Sequence, residues 1–320
     1  MTQRTDQVIA AGRVAVVTGA AKGLGAAMAR RLAALGMRLA LFDNDAGALE
    51  DLGSSLEAET IRMAGDVADG DALEKLRNEV YDRFADVALL INNAGIVQGA
   101  GPWDGRTLWT RQMDVNFFAV VEAQHLFVPG MINANRPSAV INLGSKEGIT
   151  TPPGNAAYSV AKAGIKVLTE QLSHELLKAT QGRVTAHLLV PGYTWTPMNF
   201  PGLNPLSDQK PDEPWTAEQV VELFLERFHE EDFYIICPDN AVTPALDAKR
   251  IRWAAEDIVQ NRPALSRWAS RLERRVRALG SAVMSKCSRV QLPGLLPNWR
   301  RAQLSFSHLF RQIMRLKYTA

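Results

Sequence analysis

Three side chains near the middle of the chain are of types that move or hold a proton: Ser145, Tyr158 and Lys162. Tyr158 and Lys162 are four residues apart, just over one helical turn, so in a helix the phenol and the ammonium project from the same face and can act on one reacting atom. Taken alone, the pair reads more simply as a half-buried tyrosine and a solvated lysine. What surrounds it in the chain decides between the two readings.

Residues 13–18 are a short β-branched run that stops at glycine, the pattern of a buried strand. Thr18-Gly19-Ala20-Ala21-Lys22-Gly23-Leu24-Gly25 follows, then an Ala/Leu/Arg-rich helix to about Leu35. In a strand, glycine turn and helix in this order, free amides at the helix N-terminus cradle a pyrophosphate. Gly19 permits the turn, Gly23 lets phosphates approach, and Gly25 lets helix and strand pack closely. A second strand, Arg38 to Phe42, delivers Asp43, whose carboxylate is placed to accept from a ribose 2′-hydroxyl and to repel a 2′-phosphate. That favours NAD over NADP, although Lys22 offers a phosphate some positive charge.

A helix from Ala46 to about Glu59 leads to a third strand near Ile61–Met63 and to Asp66-Val67. Asp66 reads equally well as a contact to an adenine ring or as the N-cap of the next helix, 69–83. The fourth strand, Val87 to Ile91, runs into Asn92-Asn93-Ala94-Gly95, small residues against which a ligand can lie. A long helix then carries Asn116 among apolar neighbours, where a buried amide needs a polar partner. A fifth strand, Ala139 to Leu143, delivers Ser145, and a helix over 156–179 carries Tyr158 and Lys162. The sixth strand, Val184 to Val190, ends in Pro191-Gly192-Tyr193-Thr194-Trp195-Thr196. A loop over 200–214, a helix over 217–229 and a last strand over 233–237 complete the alternation. Strands alternating with helices, without adjacent hairpins, predict an α/β fold with a doubly wound parallel sheet of about seven strands.

Length and composition agree with a soluble globular protein: 320 residues, 47% hydrophobic and 22% charged. The N-terminal 13 residues have no apolar core of a leader, and no apolar run reaches the length of a membrane span, so the expected location is the cytoplasm. Cys237 and Cys287 form neither a disulfide framework nor a metal-ligand spacing. His125, His174, His187, His229 and His308 also lack ligand spacing, so no metal is expected.

Together these motifs resemble the short-chain dehydrogenases/reductases over about residues 10–240. The resemblance rests on Thr18-Gly19-(x)3-Gly23-Leu24-Gly25, Asn92-Asn93-Ala94-Gly95, Asn116, Ser145, Tyr158-(x)3-Lys162 and Pro191-Gly192. It implies an NAD(P)-dependent oxidoreductase of secondary alcohols and ketones. In such an enzyme Ser145 holds the substrate oxygen and Tyr158 is the acid/base. Lys162 binds the nicotinamide ribose and lowers the phenol's pKa, and Asn116 orders a water in a proton relay. Thr194 and Thr196 then lie at the nicotinamide, and Val67, Asn93 and Ala94 at the adenosine. The physics allows the tyrosine's role: a shift from about 10 to near 7 is worth roughly 4 kcal/mol, the order that an ammonium about 4 Å away supplies at an intermediate dielectric. The resemblance also implies a homo-oligomer built on the helices carrying Asn116 and Tyr158.

The strand-end loops would bound the substrate: Trp103, Lys146, Glu147, Pro152 and Pro153 on one side, and Tyr193, Trp195, Met198 and Phe200 on the other. Their aromatic and apolar bias suggests a hydrophobic small-molecule alcohol or ketone. Domain organisation reads as a catalytic domain over 1–245 and a helical, basic extension over 246–320. Residues 274–320 hold 10 of the 36 basic residues and none of the 34 acidic ones. Within them Phe306, Leu309, Phe310, Ile313 and Met314 mark one apolar helical face. That helix could pack on the acidic body, bind an acidic partner or make peripheral contact with an anionic membrane. Nucleic acid is not an expected partner, because the body is acidic. The competing reading is a catalytically silent nucleotide-binding regulator that works through this tail.

Overall fold

A computed structural model describes residues 4–205 and 207–268. After a short helix α1 (Arg4–Val8), strands β1 (Val14–Thr18), β2 (Arg38–Asp43) and β3 (Thr60–Ala64) alternate with helices α2 (Gly23–Ala34) and α3 (Ala46–Ser54). Next come α4 (Gly70–Phe84), β4 (Leu89–Asn92), α5 (Arg106–Met113), a π-helical turn (Asp114–Phe118) and α6 (Ala119–Asn133). The chain continues with β5 (Ser138–Leu143), α7 (Glu147–Thr150), α8 (Ala156–Thr180) and β6 (Val184–Val190). The last elements are β7 (Thr194–Trp195), β8 (Trp215–Thr216), α9 (Ala217–His229), β9 (Tyr234–Ile236) and α10 (Pro244–Val259).

Seven strands form one parallel sheet in the order β3-β2-β1-β4-β5-β6-β9, while β7 and β8 pair separately. The order reverses between β1 and β4, which opens a crevice at the carboxyl ends of the strands. Apolar runs rather than alternating patterns build these strands because both faces are covered. Ala15, Val17, Leu39 and Leu41 enter the core beneath α2 and α9, whereas Val14, Val16, Ala40 and Phe42 enter the opposite core, which includes α4 and α6 residues. Each large buried side chain in these layers contributes about 1.5–3 kcal/mol of transfer free energy.

Two elements differ from their sequence readings. α3 stops at Ser54, five residues short of Glu59. The Ser55 hydroxyl donates to the Leu52 carbonyl at 2.6 Å, a local competitor to helix propagation. The long helix carrying Asn116 is interrupted by the π turn over Asp114–Phe118. By length and composition the run 106–133 could cross a membrane, yet Val115, Ala119, Phe127 and Met131 are buried in the core over the sheet.

The described residues belong to one compact unit that runs to Trp268. α10 begins beside the suggested boundary at 245 and packs on α7. The expected amphipathic helix at 306–314 lies outside the described residues.

Candidate active site and cofactor cleft

The crevice at the strand ends is a cavity of about 680 Å³. At its floor, Thr18 and Asn93 join β1 to β4. Thr18 Oγ1 accepts from the amides of Asn93 (3.1 Å) and Ala94 (3.2 Å), and Asn93 Nδ2 donates to the carbonyls of Thr18 (2.9 Å) and Gly19 (2.8 Å). The Asn-Asn-Ala-Gly segment therefore holds the glycine turn in place. Gly19 takes φ +64°, and a Cβ there would stand 2.7 Å from Ala94 Cα. A Cβ on Gly25 would stand 2.0 Å from the Gly19 carbonyl oxygen, so the turn closes directly on α2.

Gly19, Lys22, Gly23 and Leu24 line the cavity at the start of α2, a cradle that fits a pyrophosphate. Thr18 and Gly25 do not face it: they support the cradle from behind. Asp43 lines the adenosine side, with its carboxylate accepting from Ala21 N and Asp45 N, each at 2.9 Å. Asp45, absent from the sequence reading, joins the same wall and draws the Lys22 ammonium onto itself. That hydrogen bond, with one from the Ala48 amide, holds the Asp45 carboxyl below its usual range.

Asp66 faces the cavity but caps no helix. The N-cap of α4 is Asp69, which accepts from the amides of Asp71 and Ala72. Asp66 instead accepts from Ala68 N at 3.0 Å and pairs with Arg111 at 2.8 Å. Burial tends to raise its pKa, and these two donors outweigh burial and lower it. Val67, Ala94, Gly95, Pro191, Gly192, Thr194 and Thr196 also line the cavity, as the sequence placed them.

Three of the four catalytic candidates converge on this cleft, Ser145 from the end of β5 and Tyr158 and Lys162 from α8. Ser145 leaves β5, accepts from Glu147 N at 3.1 Å and hydrogen-bonds the Tyr158 phenol. Tyr158 and Lys162 project from α8, with Lys162 Nζ 5.8 Å from the centre of the Tyr158 ring. The ammonium donates to the Leu143 carbonyl at 2.7 Å and is buried, and that burial pushes its pKa down to about 8. Asn116 is fully buried in the π turn and does not line the cavity. Its amide is taken up by Ile96, accepting from Ile96 N and donating to Ile96 O, both at 2.9 Å. The polar partner that Asn116 needed is main chain.

The phenol's pKa departs from the sequence expectation. Burial pushes Tyr158 up to about 12; the Ser145 hydrogen bond opposes that rise, and the Glu147 charge adds to it. Lys162 sits against the ring with its proton directed at Leu143, so in this form of the site desolvation outweighs the attraction expected from its charge.

Sequence reasoning also missed a polar ladder behind the site. Asn92 Nδ2 donates to Asn142 Oδ1 at 2.8 Å, and Asn142 Nδ2 to Thr169 Oγ1 at 2.9 Å, tying β4 through β5 to α8. Lys146 and Glu147 do not pair with each other. Lys146 reaches Asp247 at 2.6 Å and Asp239 at 3.6 Å, while burial pushes the Glu147 carboxyl above its usual range. Of the other proposed substrate contacts, Tyr193 and Met198 line the cavity. Trp103 does not and is 88% exposed. Nor do Pro152 and Pro153. Trp195 is buried, with its ring 4.3 Å from that of Phe200, and the two form a support behind the wall.

Residues 13–202 match the family model described as short chain dehydrogenase. The chain is 32% identical to a 1-deoxy-11-beta-hydroxypentalenate dehydrogenase of Streptomyces arenae over 72% of its own length and 83% of the relative's. A short chain dehydrogenase/reductase from Burkholderia phymatum, solved with NAD, superposes with a TM-score of 0.69 at 31% identity, covering 79% of this chain and 96% of that one. A metagenomic short-chain oxidoreductase solved with NADP gives a TM-score of 0.57 at 27% identity, covering 71% and 97%. The chain belongs to the short-chain dehydrogenase/reductase family. It is thus an oxidoreductase built around a nicotinamide-nucleotide fold.

Proposed function

We propose that the protein interconverts a hydrophobic secondary alcohol and its ketone with NAD as the preferred cofactor, using Tyr158 as the acid/base. The observation that carries this reading is the convergence of Ser145, Tyr158 and Lys162 on the cavity that the glycine turn opens. A bound nicotinamide supplies the hydride chemistry, and the protein has to bind, orient and move one proton. Gly19, Gly23 and the start of α2 would hold the pyrophosphate, and Asp43 the adenosine ribose. Ser145 Oγ orients the substrate oxygen. In reduction Tyr158 Oη donates its proton to that oxygen, a role suited to a phenol whose pKa burial has pushed up to about 12. In oxidation Tyr158 must start as the phenolate and take the proton of the alcohol, and the Lys162 ammonium stabilises that phenolate. Tyr193, Met198 and Val97 give the cavity an apolar wall. The Streptomyces relative is named for a hydroxylated substrate, which accords with an alcohol as the reacting group.

Two carboxylates, Asp43 and Asp45, stand on the adenosine side, and Asp45 has already neutralised Lys22. A 2′-phosphate entering there would meet net negative charge. Absorbance at 340 nm over a panel of secondary alcohols and ketones is expected to show turnover with NAD(H) and at least tenfold less kcat/KM with NADP(H). Asp43→Ala is expected to narrow that ratio about tenfold, equivalent to about 1.4 kcal/mol. An unchanged ratio would mean that Asp43 does not read the ribose.

Family members commonly form oligomers. Phe118 and Val121 near the start of α6, and Val160 and Val167 on α8, are large apolar side chains left exposed on the helices expected to meet a second copy.

A further inference from the structure

The wall of the cleft farthest from Asp43 carries a charge that none of the roles above uses. β9 is the sheet edge opposite β2 and β3, and the chain beyond it places Val242 and Arg250 in the cavity lining. α10 is fixed there by Lys146, the residue after Ser145, whose ammonium bridges the buried carboxylates of Asp239 and Asp247. Arg250 lies three residues after Asp247 and so shares its face of α10, turned toward the serine loop. Asp247 and Asp239 are engaged by Lys146, and among the described residues no ion pair joins either of them or Glu147 to Arg250. Among the described residues, no hydrogen bond or ion pair joins the Arg250 guanidinium.

We infer that Arg250 binds a carboxylate on the substrate, so that the substrate class is an apolar hydroxy acid and its oxo acid. The inference rests on the oxidoreductase reading for the alcohol end and on Arg250 for the acid end. A planar guanidinium offers two parallel N–H donors that match one carboxylate. A dianionic phosphate would call for more than one cation. The pyrophosphate cradle and Asp43 lie at β1 and β2, four and five places from β9 in the sheet order, and the NADH arm of the test separates a cofactor phosphate from a substrate carboxylate. Tyr193, Met198 and Val97 supply apolar surface for the body of the acid.

The test uses full-length protein with saturating NADH, and decanoate and 1-decanol as probes, titrated by calorimetry. Decanoate is expected to bind at least tenfold more tightly than decanol. Arg250→Ala should weaken decanoate at least tenfold while the dissociation constants of decanol and NADH stay unchanged. Arg250→Gln, which keeps length and polarity, should behave like the alanine variant and serves if that variant folds poorly. Equal binding of the two probes to the wild type, or decanoate binding that ignores both substitutions, overturns the assignment. So does a parallel loss of NADH affinity, which would give the arginine to the cofactor. If no alcohol or ketone is turned over while decanoate binding still depends on Arg250, the oxidoreductase reading falls and the carboxylate site stands.

Discussion

Replacing Tyr158 with phenylalanine is expected to lower turnover by roughly 10²–10⁴-fold, the usual contribution of a positioned acid/base, while leaving NADH affinity within about threefold. The ring fills the same space and keeps its place beside Lys162; only the oxygen that meets Ser145 and the substrate is lost. The wild-type pH profile should also separate the two directions. With the phenol protonated throughout the neutral range, ketone reduction should be nearly flat from pH 6 to 8. Alcohol oxidation, which needs the phenolate, should rise with pH over the same interval. Turnover by the phenylalanine variant equal to wild type would remove Tyr158 from the chemistry.

Lys162→Met is expected to abolish turnover and, at the same time, to stabilise the fold near neutral pH. The ammonium is buried with one carbonyl partner, and burial has lowered its pKa from 10.5 to about 8. Between those values the unfolded chain binds more protons than the folded one, so this group's contribution to stability rises with pH and its penalty is greatest below about 8. The penalty at pH 7 is of order 3 kcal/mol, from which about 1 kcal/mol is subtracted in the variant because the Leu143 carbonyl loses its donor. Urea unfolding should therefore find Lys162→Met about 2 kcal/mol more stable than wild type at pH 7, with the gap narrowing by about 1 kcal/mol at pH 9. Above pH 9 both proteins should lose stability together, since the Cys237 thiol that they share is pushed from 9.0 to about 12 by burial. A variant less stable than wild type at pH 7, or a gap indifferent to pH, would mean that Lys162 carries no burial penalty. Such a penalty at this position is what a site held ready for an anion requires.

The features legible in the sequence are those encoded locally. The glycine turn, the strand-end motifs and the four-residue spacing of Tyr158 and Lys162 each occupy a few consecutive positions, and the strands announced themselves as apolar runs bounded by turns. The π turn left no such mark, because Asp114-Val115-Asn116-Phe117-Phe118 continues an ordinary helical pattern. Its effect shows only when the Asn116 amide is seen on the main chain of Ile96, twenty residues away. Distance in sequence likewise hid the pairing of Lys146 with Asp239 and Asp247, and that of Asp66 with Arg111. α10 was legible as a helix, but its contribution of Arg250 to the cleft depends on how β9 delivers the chain. The Tyr158 shift runs opposite to the expectation from spacing for a related reason. Helical spacing brings an ammonium near a phenol but does not reveal how thoroughly both are buried, and here burial decides the balance.

Transfer of label from cofactor to substrate tests the central claim most directly. With NADH carrying deuterium at both nicotinamide C4 positions and a panel of apolar ketones, including oxo acids, mass spectrometry of the products is expected to show one deuterium on the carbinol carbon per molecule formed. The Tyr158→Phe variant should form that product at most about one-hundredth as fast. Product without deuterium at that carbon, or no reduced product from any ketone despite tight NADH binding, would contradict the proposal that this cleft carries out hydride transfer to a carbonyl.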